Sequence, residues 1–274
     1  MPELPRAAVV GDPVEHSLSP KLFALWAAWR ERPLAYEALR LAVSEFPAAL
    51  KAARSDVGWV GWNVTVPHKE RALELADVRD PSTAQPGAAN VLLFRSGEAV
   101  AFNTDAAGFM AALDAAGAPT FGARAVVLGA GGAAGAVLAA LRRGGAAEVA
   151  VFNRSRARAE ALAARFGVKA GTLEEAAEDL AAADLVVNAT SAGLSGASPL
   201  PAGTRLKPGA WAMDLMYRPR ETPFMAQARE AGARPLGGLG MLVRQAALTW
   251  WLFYGETLPE DVVAAAQKEL EGVL

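Results

Sequence analysis

Residues 125–141 carry no charge and are bracketed by Arg124 on one side and Arg142-Arg143 on the other. An uncharged run of that length stands at the lower limit of a membrane span. Its internal order points elsewhere. Residues 125–128 hold the β-branched pair Val126-Val127, and Gly129-Ala130-Gly131-Gly132-Ala133-Ala134 then leads into an alanine-rich stretch. A buried strand, a tight turn and a helix account for it better than a membrane does. In that setting the glycines match G-x-G-x-x-G/A, the loop that cradles a dinucleotide. Gly129 permits the turn, Gly131 lets the backbone approach a pyrophosphate, and Ala134 lets the helix lie close to the strand. The helix N-terminus offers unpaired N–H groups and a partial positive charge to the phosphates.

The next strand, expected over 148–152, runs into Asn153-Arg154-Ser155, with Arg156 and Arg158 close behind. An NAD site usually places a carboxylate at that strand end to accept the ribose 2′-hydroxyl. Here only polar and cationic groups are offered, which suits a 2′-phosphate and favours NADP.

Composition narrows the partners. The net charge is −2, so no basic excess points to nucleic acid or an anionic membrane. The chain has no cysteine, which rules out disulfides, thiolate metal sites and a cysteine nucleophile. Its two histidines, His16 and His68, cannot build a zinc site without carboxylate help. No metal is expected. Met1-Pro2-Glu3 opens the chain with no basic region before an apolar run, which leads us to expect a cytoplasmic protein.

Strand-like runs alternate with helical stretches throughout, an α/β pattern. In the first half, strands are expected over 7–11, 35–41, 59–66, 89–94 and 98–102, the last two turned around Ser96-Gly97. Helices are expected behind Ser19-Pro20, Ser44 and Pro67, with the two serines as caps, and Asp105 as the cap of the next one. A second series follows Gly117-Ala118-Pro119, with strands at 125–128, 149–152, 185–188 and 211–215. Thr222-Pro223 opens a capped helix, Gly237-Gly238-Leu239-Gly240 precedes a long apolar helix, and Pro259-Glu260 opens the last. The break between halves falls near residues 103–105. Trp26, Trp29, Trp250 and Trp251 lie in apolar helical stretches and read as packing.

Two polar clusters in the first half carry chemistry. Asn63-Val64-Thr65-Val66-Pro67-His68-Lys69 puts Thr65 at a strand end and Lys69 in the first turn of a helix. The helix dipole opposes a cation there, which suits a proton carrier. Asn103-Thr104-Asp105 supplies a carboxylate. Carbonyl reduction needs a proton donor at oxygen as hydride reaches carbon, and a lysine held by an aspartate can serve. Taken singly, such a lysine is commonly a solvated surface residue and such an aspartate a helix cap. His68 reads as a surface residue or a neighbour that tunes Lys69, not as a base.

With these motifs in order, the chain resembles the shikimate dehydrogenase family nearly end to end. The matching segments are Ser17-Leu18-Ser19-Pro20, the Asn63–Lys69 motif, Gly87-Ala88-Ala89-Asn90, Asn103-Thr104-Asp105 and the glycine loop. Beyond them come Asn153-Arg154-Ser155, Asn188-Ala189-Thr190-Ser191, Asp214-Leu215-Met216-Tyr217 and a stretch from Gly238 to Gln245. The resemblance implies NADPH-dependent, reversible reduction of 3-dehydroshikimate to shikimate in aromatic amino-acid biosynthesis. Lys69 and Asp105 would be the catalytic pair, with Lys69 the proton carrier at the C3 oxygen. Ser17, Ser19, Thr65, Asn90, Tyr217 and Gln245 would hold the substrate's hydroxyls and carboxylate, alongside Lys69 and Asp105. Gly129, Ala130, Gly131, Gly132, Ala133, Asn153, Arg154, Ser155 and Arg158 would bind the cofactor, and Thr190, Leu215, Gly238 and Met241 would line its nicotinamide side.

The same resemblance implies a substrate domain at 1–104 plus 241–274 and a Rossmann-type NADP domain at 105–240, with the last helices returning to the first domain. The site would lie in the cleft between them. A homodimer is a further expectation. The chain departs from the family pattern at Ala101 and Ala106, where glycine is common, and at Val91, where threonine is common. Were either glycine position to need a positive φ, alanine would strain the backbone around Asp105. Two alternatives weigh less: a quinate or dual-specificity dehydrogenase, against which stand Asn153-Arg154 for NAD use and the Ser17/Ser19 pair, and a catalytically silent NADP-sensing regulator, which need not keep Lys69 and Asp105 together.

Overall fold

The computed structural model describes residues 4–274, so the reading drawn from Met1-Pro2-Glu3 lies outside the described residues. The described chain divides into two compact units, one of residues 4–105 with 242–273, the other of 106–241. Both are α/β, as expected.

The first unit holds β1 (Arg6–Gly11), α1 (Ser19–Trp29), β2 (Ala35–Arg40), α2 (Phe46–Arg54), β3 (Trp59–Val64), α3 (Lys69–Leu75), β4 (Val78–Arg79), β5 (Val91–Arg95) and β6 (Glu98–Phe102). Its sheet runs β2-β1-β3-β5-β6-β4, with β1 parallel to β2 and β3. β5 is antiparallel to both β3 and β6. The β5–β6 hairpin turns on Ser96 (φ 53°) and Gly97 (φ 82°), the left-handed pair that a two-residue turn requires. Phe46, Leu50, Trp62, Val64, Leu92 and Phe94 pack together on the sheet. Fully burying a side chain of this kind is worth about 1.5–3 kcal/mol.

The second unit holds most of α4 (Asp105–Ala116), then β7 (Arg124–Leu128), α5 (Gly132–Arg143), β8 (Glu148–Phe152), α6 (Arg156–Phe166), β9 (Lys169–Gly171), α7 (Ala177–Ala182) and β10 (Leu185–Asn188). It continues through β11 (Trp211–Asp214), α8 (Pro223–Glu230) and β12 (Arg234–Leu236) into α9 (Leu239–Tyr254), which the chain follows back to the first unit, ending in α10 (Glu260–Glu271). All six strands are parallel, in the order β12-β11-β10-β7-β8-β9. That is the doubly wound order of a Rossmann fold, and the winding reverses between β7 and β10. Along β7, Ala125 and Val127 face one core with Val137, Leu138 and Leu162, while Val126 and Leu128 face the other with Leu180 and Phe224. Helices therefore cover both faces, and residues 125–141 are a buried strand, a turn and a helix. Among the described residues no helix is long and apolar enough to cross a membrane.

In the first unit, α9 lies so near β3 that a Cβ on Gly61 would come within 2.6 Å of Phe253. Trp26 and Trp250 meet edge to face there, their ring centres 6.2 Å apart.

Several local expectations are corrected. Ser19 is the first helical residue and not the cap; the cap is Leu18, and Ser17 Oγ accepts from the Ser19 N–H at 3.2 Å. Ser44 does not cap α2, whose cap is Glu45. Asp105 is likewise the first residue of α4 and not its cap. Trp29 and Trp251 are 47% and 51% exposed, so only Trp26 and Trp250 are core residues. The short strands β4, β9 and β12 were not read from the sequence. All three are sheet edges of two or three residues, and β12 also carries Pro235, tolerated only at an edge.

Candidate active site

Pro67 stops the β3 segment, and the Thr65 N–H still reaches the Val10 carbonyl at 2.9 Å. One short turn later Lys69 opens α3, and its carbonyl accepts from the Ala89 N–H at 2.9 Å. That bond ties the lysine to the segment entering β5. His68 is not at the surface: it is 1% exposed, its ring stacks on Phe46 at 4.6 Å, and Nε2 lies 2.7 Å from the Leu41 carbonyl. The carbonyl can only accept, so Nε2 carries a proton and is not available as a base.

Lys69 Nζ donates to Asp105 Oδ2 at 2.6 Å, and the side chains are only 15% and 6% exposed. The other carboxylate oxygen, Asp105 Oδ1, accepts from Asn90 Nδ2 at 3.0 Å. The same Nδ2 lies 2.9 Å from Thr104 Oγ1 and 3.0 Å from Gln245 Oε1, while Asn90 Oδ1 accepts from the Thr104 N–H at 2.7 Å. Thr104 Oγ1 donates to Gln245 Oε1 at 3.3 Å, and Gln245 Nε2 donates to the Leu242 carbonyl at 2.9 Å. Residues distant in sequence thus form one buried polar network inside the first unit. A buried ion pair costs desolvation, and the extra hydrogen bonds offset that cost.

Asn63 and Thr249 extend this polar layer. Asn63 Nδ2 donates to Thr249 Oγ1 at 3.1 Å, Asn63 Oδ1 accepts from the Tyr36 hydroxyl at 2.8 Å, and Thr249 sits one turn after Gln245. Neither was singled out from the sequence, nor was Thr104. The available signal was a polar residue at a strand or helix position that is otherwise apolar.

Among the described residues, Ser17, Ser19 and Thr65 are not joined to this network by a hydrogen bond. Ser17 and Ser19 are joined to each other at the start of α1. Thr65 is half-buried beside Gly11, where a Cβ would come within 2.4 Å of Thr65 Cγ2. Tyr217 belongs to the second unit and follows β11. The departures at Ala101 and Ala106 bring no strain: they lie in β6 and α4, and neither has a positive φ.

In the second unit Gly129 has φ 113°, which L side chains rarely adopt, and a Cβ there would meet Ala189 at 3.0 Å and Thr190 Cγ2 at 3.1 Å. Ala130 follows it, half-buried against the core. Gly131 caps α5 without a side-chain hydrogen bond, and nothing lies within 4 Å of where its Cβ would stand. The first turn of α5, from Gly132 and Ala133 onward, therefore begins without a capping side chain. These features fit a pyrophosphate.

At the end of β8, Asn153 Nδ2 donates to the Ser155 carbonyl at 3.1 Å. Arg156 is paired with Glu175 and Glu160, whereas Arg154 and Arg158 are exposed and, among the described residues, have no carboxylate partner. Two free guanidiniums where a carboxylate would serve NAD fit a 2′-phosphate. Gly238 lies so close to Leu215 that a Cβ would fall 2.1 Å from the Leu215 carbonyl oxygen. Met241 is 7% exposed and packs in the core of this unit.

Comparison with known proteins follows the same division. Residues 9–92 match the family described as shikimate dehydrogenase substrate binding domain, and residues 114–195 match the family described as shikimate / quinate 5-dehydrogenase. A shikimate dehydrogenase (NADP(+)) from Mesorhizobium japonicum is 43% identical over 246 residues, 88% of this chain and 87% of that one. Another, from Cereibacter sphaeroides, is 43% identical across 96% of both chains. The crystal structure of shikimate 5-dehydrogenase from Thermus thermophilus in complex with NADP(H) and shikimate shares 42% identity. Its TM-score is 0.86, with 96% of this chain and 98% of that one covered.

Proposed function

The chain belongs to the shikimate dehydrogenase family, and on that premise we propose that it reduces 3-dehydroshikimate to shikimate, reversibly and with NADPH, in aromatic amino-acid biosynthesis. The observation that carries the reading is the buried pair of Lys69 and Asp105, 2.6 Å apart within a network of neutral polar side chains. Bound NADPH supplies the hydride to the carbonyl carbon. Lys69 then gives a proton from its ammonium group to the C3 oxygen, so that ketone, hydride and proton make the alcohol. Asp105 holds the lysine in place through the 2.6 Å contact, and solvent restores the proton. In the oxidative direction the same lysine takes the hydroxyl proton.

Asn90, Gln245, Thr65, Ser17, Ser19 and Tyr217 are the proposed partners of the substrate's hydroxyls and carboxylate. Uncharged donors and acceptors suit a polyhydroxylated acid, and a site built to bond hydroxyls rejects analogues that lack them. Arg154, with Arg158 near it, is proposed to hold the 2′-phosphate beside Asn153 and Ser155. The loop Gly129–Ala133 would take the pyrophosphate, and Thr190, Leu215, Gly238 and Met241 the nicotinamide side. On this reading residues 1–104 with 241–274 form the substrate domain and 105–240 the NADP domain. A cytoplasmic location and a homodimer complete the proposal, and cell fractionation and analytical ultracentrifugation test them.

Initial rates with shikimate and quinate, each with NADP and NAD, test the function. The expected result is turnover that is fastest for shikimate with NADP. Faster turnover of quinate would make the chain a quinate or dual-specificity enzyme. No turnover with any pair would make it a binding protein.

A further inference from the structure

Asp214, at the end of β11, is 0% exposed, and the described partners of its carboxylate are all donors. Oδ1 accepts from Asn188 Nδ2 at 3.1 Å and from the Met216 N–H at 3.0 Å. Oδ2 accepts from the Thr222 hydroxyl at 2.6 Å, and Thr222 Oγ1 in turn accepts from the Met225 N–H at 3.2 Å as the cap of α8. Burial pushes the Asp214 carboxyl above the ordinary aspartate range, with the Thr222, Met216 and Asn188 bonds opposing that shift. The fold therefore keeps a buried carboxylate where apolar packing would be less costly.

Its connections lead to the glycine loop. Asn188 Oδ1, at the end of β10, accepts from both the N–H and the hydroxyl of Thr190, at 3.0 and 2.7 Å. Thr190 Oγ1 accepts from the Ala192 N–H at 3.2 Å, so residues 188–192 are one pinned turn. That turn is the surface against which Gly129 packs, with Ala189 and Thr190 nearest to where a Cβ would stand. The Met216 carbonyl takes the Gly238 N–H at 3.0 Å, so a second segment proposed to face the cofactor hangs from the same carboxylate. Both turns lie at the carboxyl ends of parallel strands, and β10 flanks the point where the winding reverses.

We propose that Asp214 is a positioning residue for the cofactor: through Asn188 and Met216 it fixes the Thr190 turn and the Gly238 turn, and so sets the wall behind the Gly129 loop. The inference rests on the NADPH reading above and deepens it. Asp214 reaches the cofactor only through other residues, so its loss should be felt in NADPH affinity before shikimate affinity. An amide at position 214 would set an NH2 group among donors, because Thr222 Oγ1 and Asn188 Nδ2 already point toward it.

The test is fluorescence titration of NADPH, calorimetric titration of shikimate and thermal melting on wild type and Asp214→Asn. The expected result is NADPH affinity weakened about ten-fold, on the scale of one charge-assisted hydrogen bond, with shikimate affinity within about two-fold. Unchanged NADPH affinity would overturn the proposal, as would a parallel loss of both ligands. Should Asp214→Asn fail to fold, Thr222→Ser and Thr222→Val ask the same question. Serine keeps the donor and should bind NADPH as wild type does, whereas valine should bind it several-fold more weakly; equal affinities would overturn the proposal. Wild-type protein that binds no NADPH would overturn this inference and the functional reading together.

Discussion

The two units place their chemistry in different kinds of atom. In the first, the candidate site is made of side chains: Lys69, Asn90, Thr104, Asp105 and Gln245 form a buried network joined by hydrogen bonds. In the second, the glycine loop offers backbone N–H groups and open space, and its side-chain contribution is a pair of exposed arginines. A side-chain network recognises one arrangement of hydroxyls and fails when one member is lost. A backbone cradle grips any pyrophosphate, so on the proposed reading cofactor choice falls to Arg154 and Arg158.

The largest expected effect comes from breaking the first network at its charged end. Lys69→Ala should lower kcat by roughly 10²–10⁴-fold, the span of general acid–base catalysis, while leaving shikimate binding largely intact. Stopped-flow turnover with a separate shikimate titration checks this, and near-normal kcat would remove the lysine from the chemistry. Asn90→Ala comes next. It strips partners from the Thr104 N–H and from Asp105, each buried group left unpaired costing about 1–3 kcal/mol. Chemical denaturation should show that loss, and an unchanged midpoint would mean that water replaces the amide.

In the second unit, Arg154→Ala should weaken NADPH by about 1–3 kcal/mol and scarcely affect NADH. Equal losses for both cofactors would make the arginine structural.

The smallest effect is shared by both units. The Ala99 N–H, and then Arg54, hold the Asp77 carboxyl below its ordinary value of 3.8. The Arg124 N–H and then Lys207 do the same for Asp184. A lowered folded-state value means that the favourable contribution is present above the unfolded pKa and is lost as pH falls through the folded one. Asp77→Asn and Asp184→Asn should each flatten the acid limb of melting temperature against pH and leave the oxidation rate at neutral pH unchanged. An acid limb as steep as that of wild type would show that neither contact matters to folding.

The same contrast explains what could be read from the sequence. The glycine loop is local: strand, turn and helix follow one another in the chain, and residues 125–134 fold as their order suggests. Lys69 and Asp105 were legible as candidates because each opens a helix after a polar motif. Their partnership is a tertiary fact, as is the role of Gln245, more than a hundred residues further on. Asn63 and Thr104 stood in the quoted motifs without a role, and Thr249 stood in none, because a buried threonine or asparagine has no local signature; only its partners across the fold give it meaning. His68 was half legible: a neighbour behind Lys69 was one of its two readings, and the surface reading falls only when Phe46 is found beneath the ring. The edge strands β4, β9 and β12 are too short to show a period of two.

That the two sets act separately is tested most directly by kcat/KM for NADPH in Lys69→Ala, Arg154→Ala and the double variant. Independent proton transfer and 2′-phosphate binding predict that the double variant loses the product of the two single losses, within about two-fold. A double variant no worse than Lys69→Ala alone would contradict it, and would make Arg154 part of the same catalytic unit as the lysine.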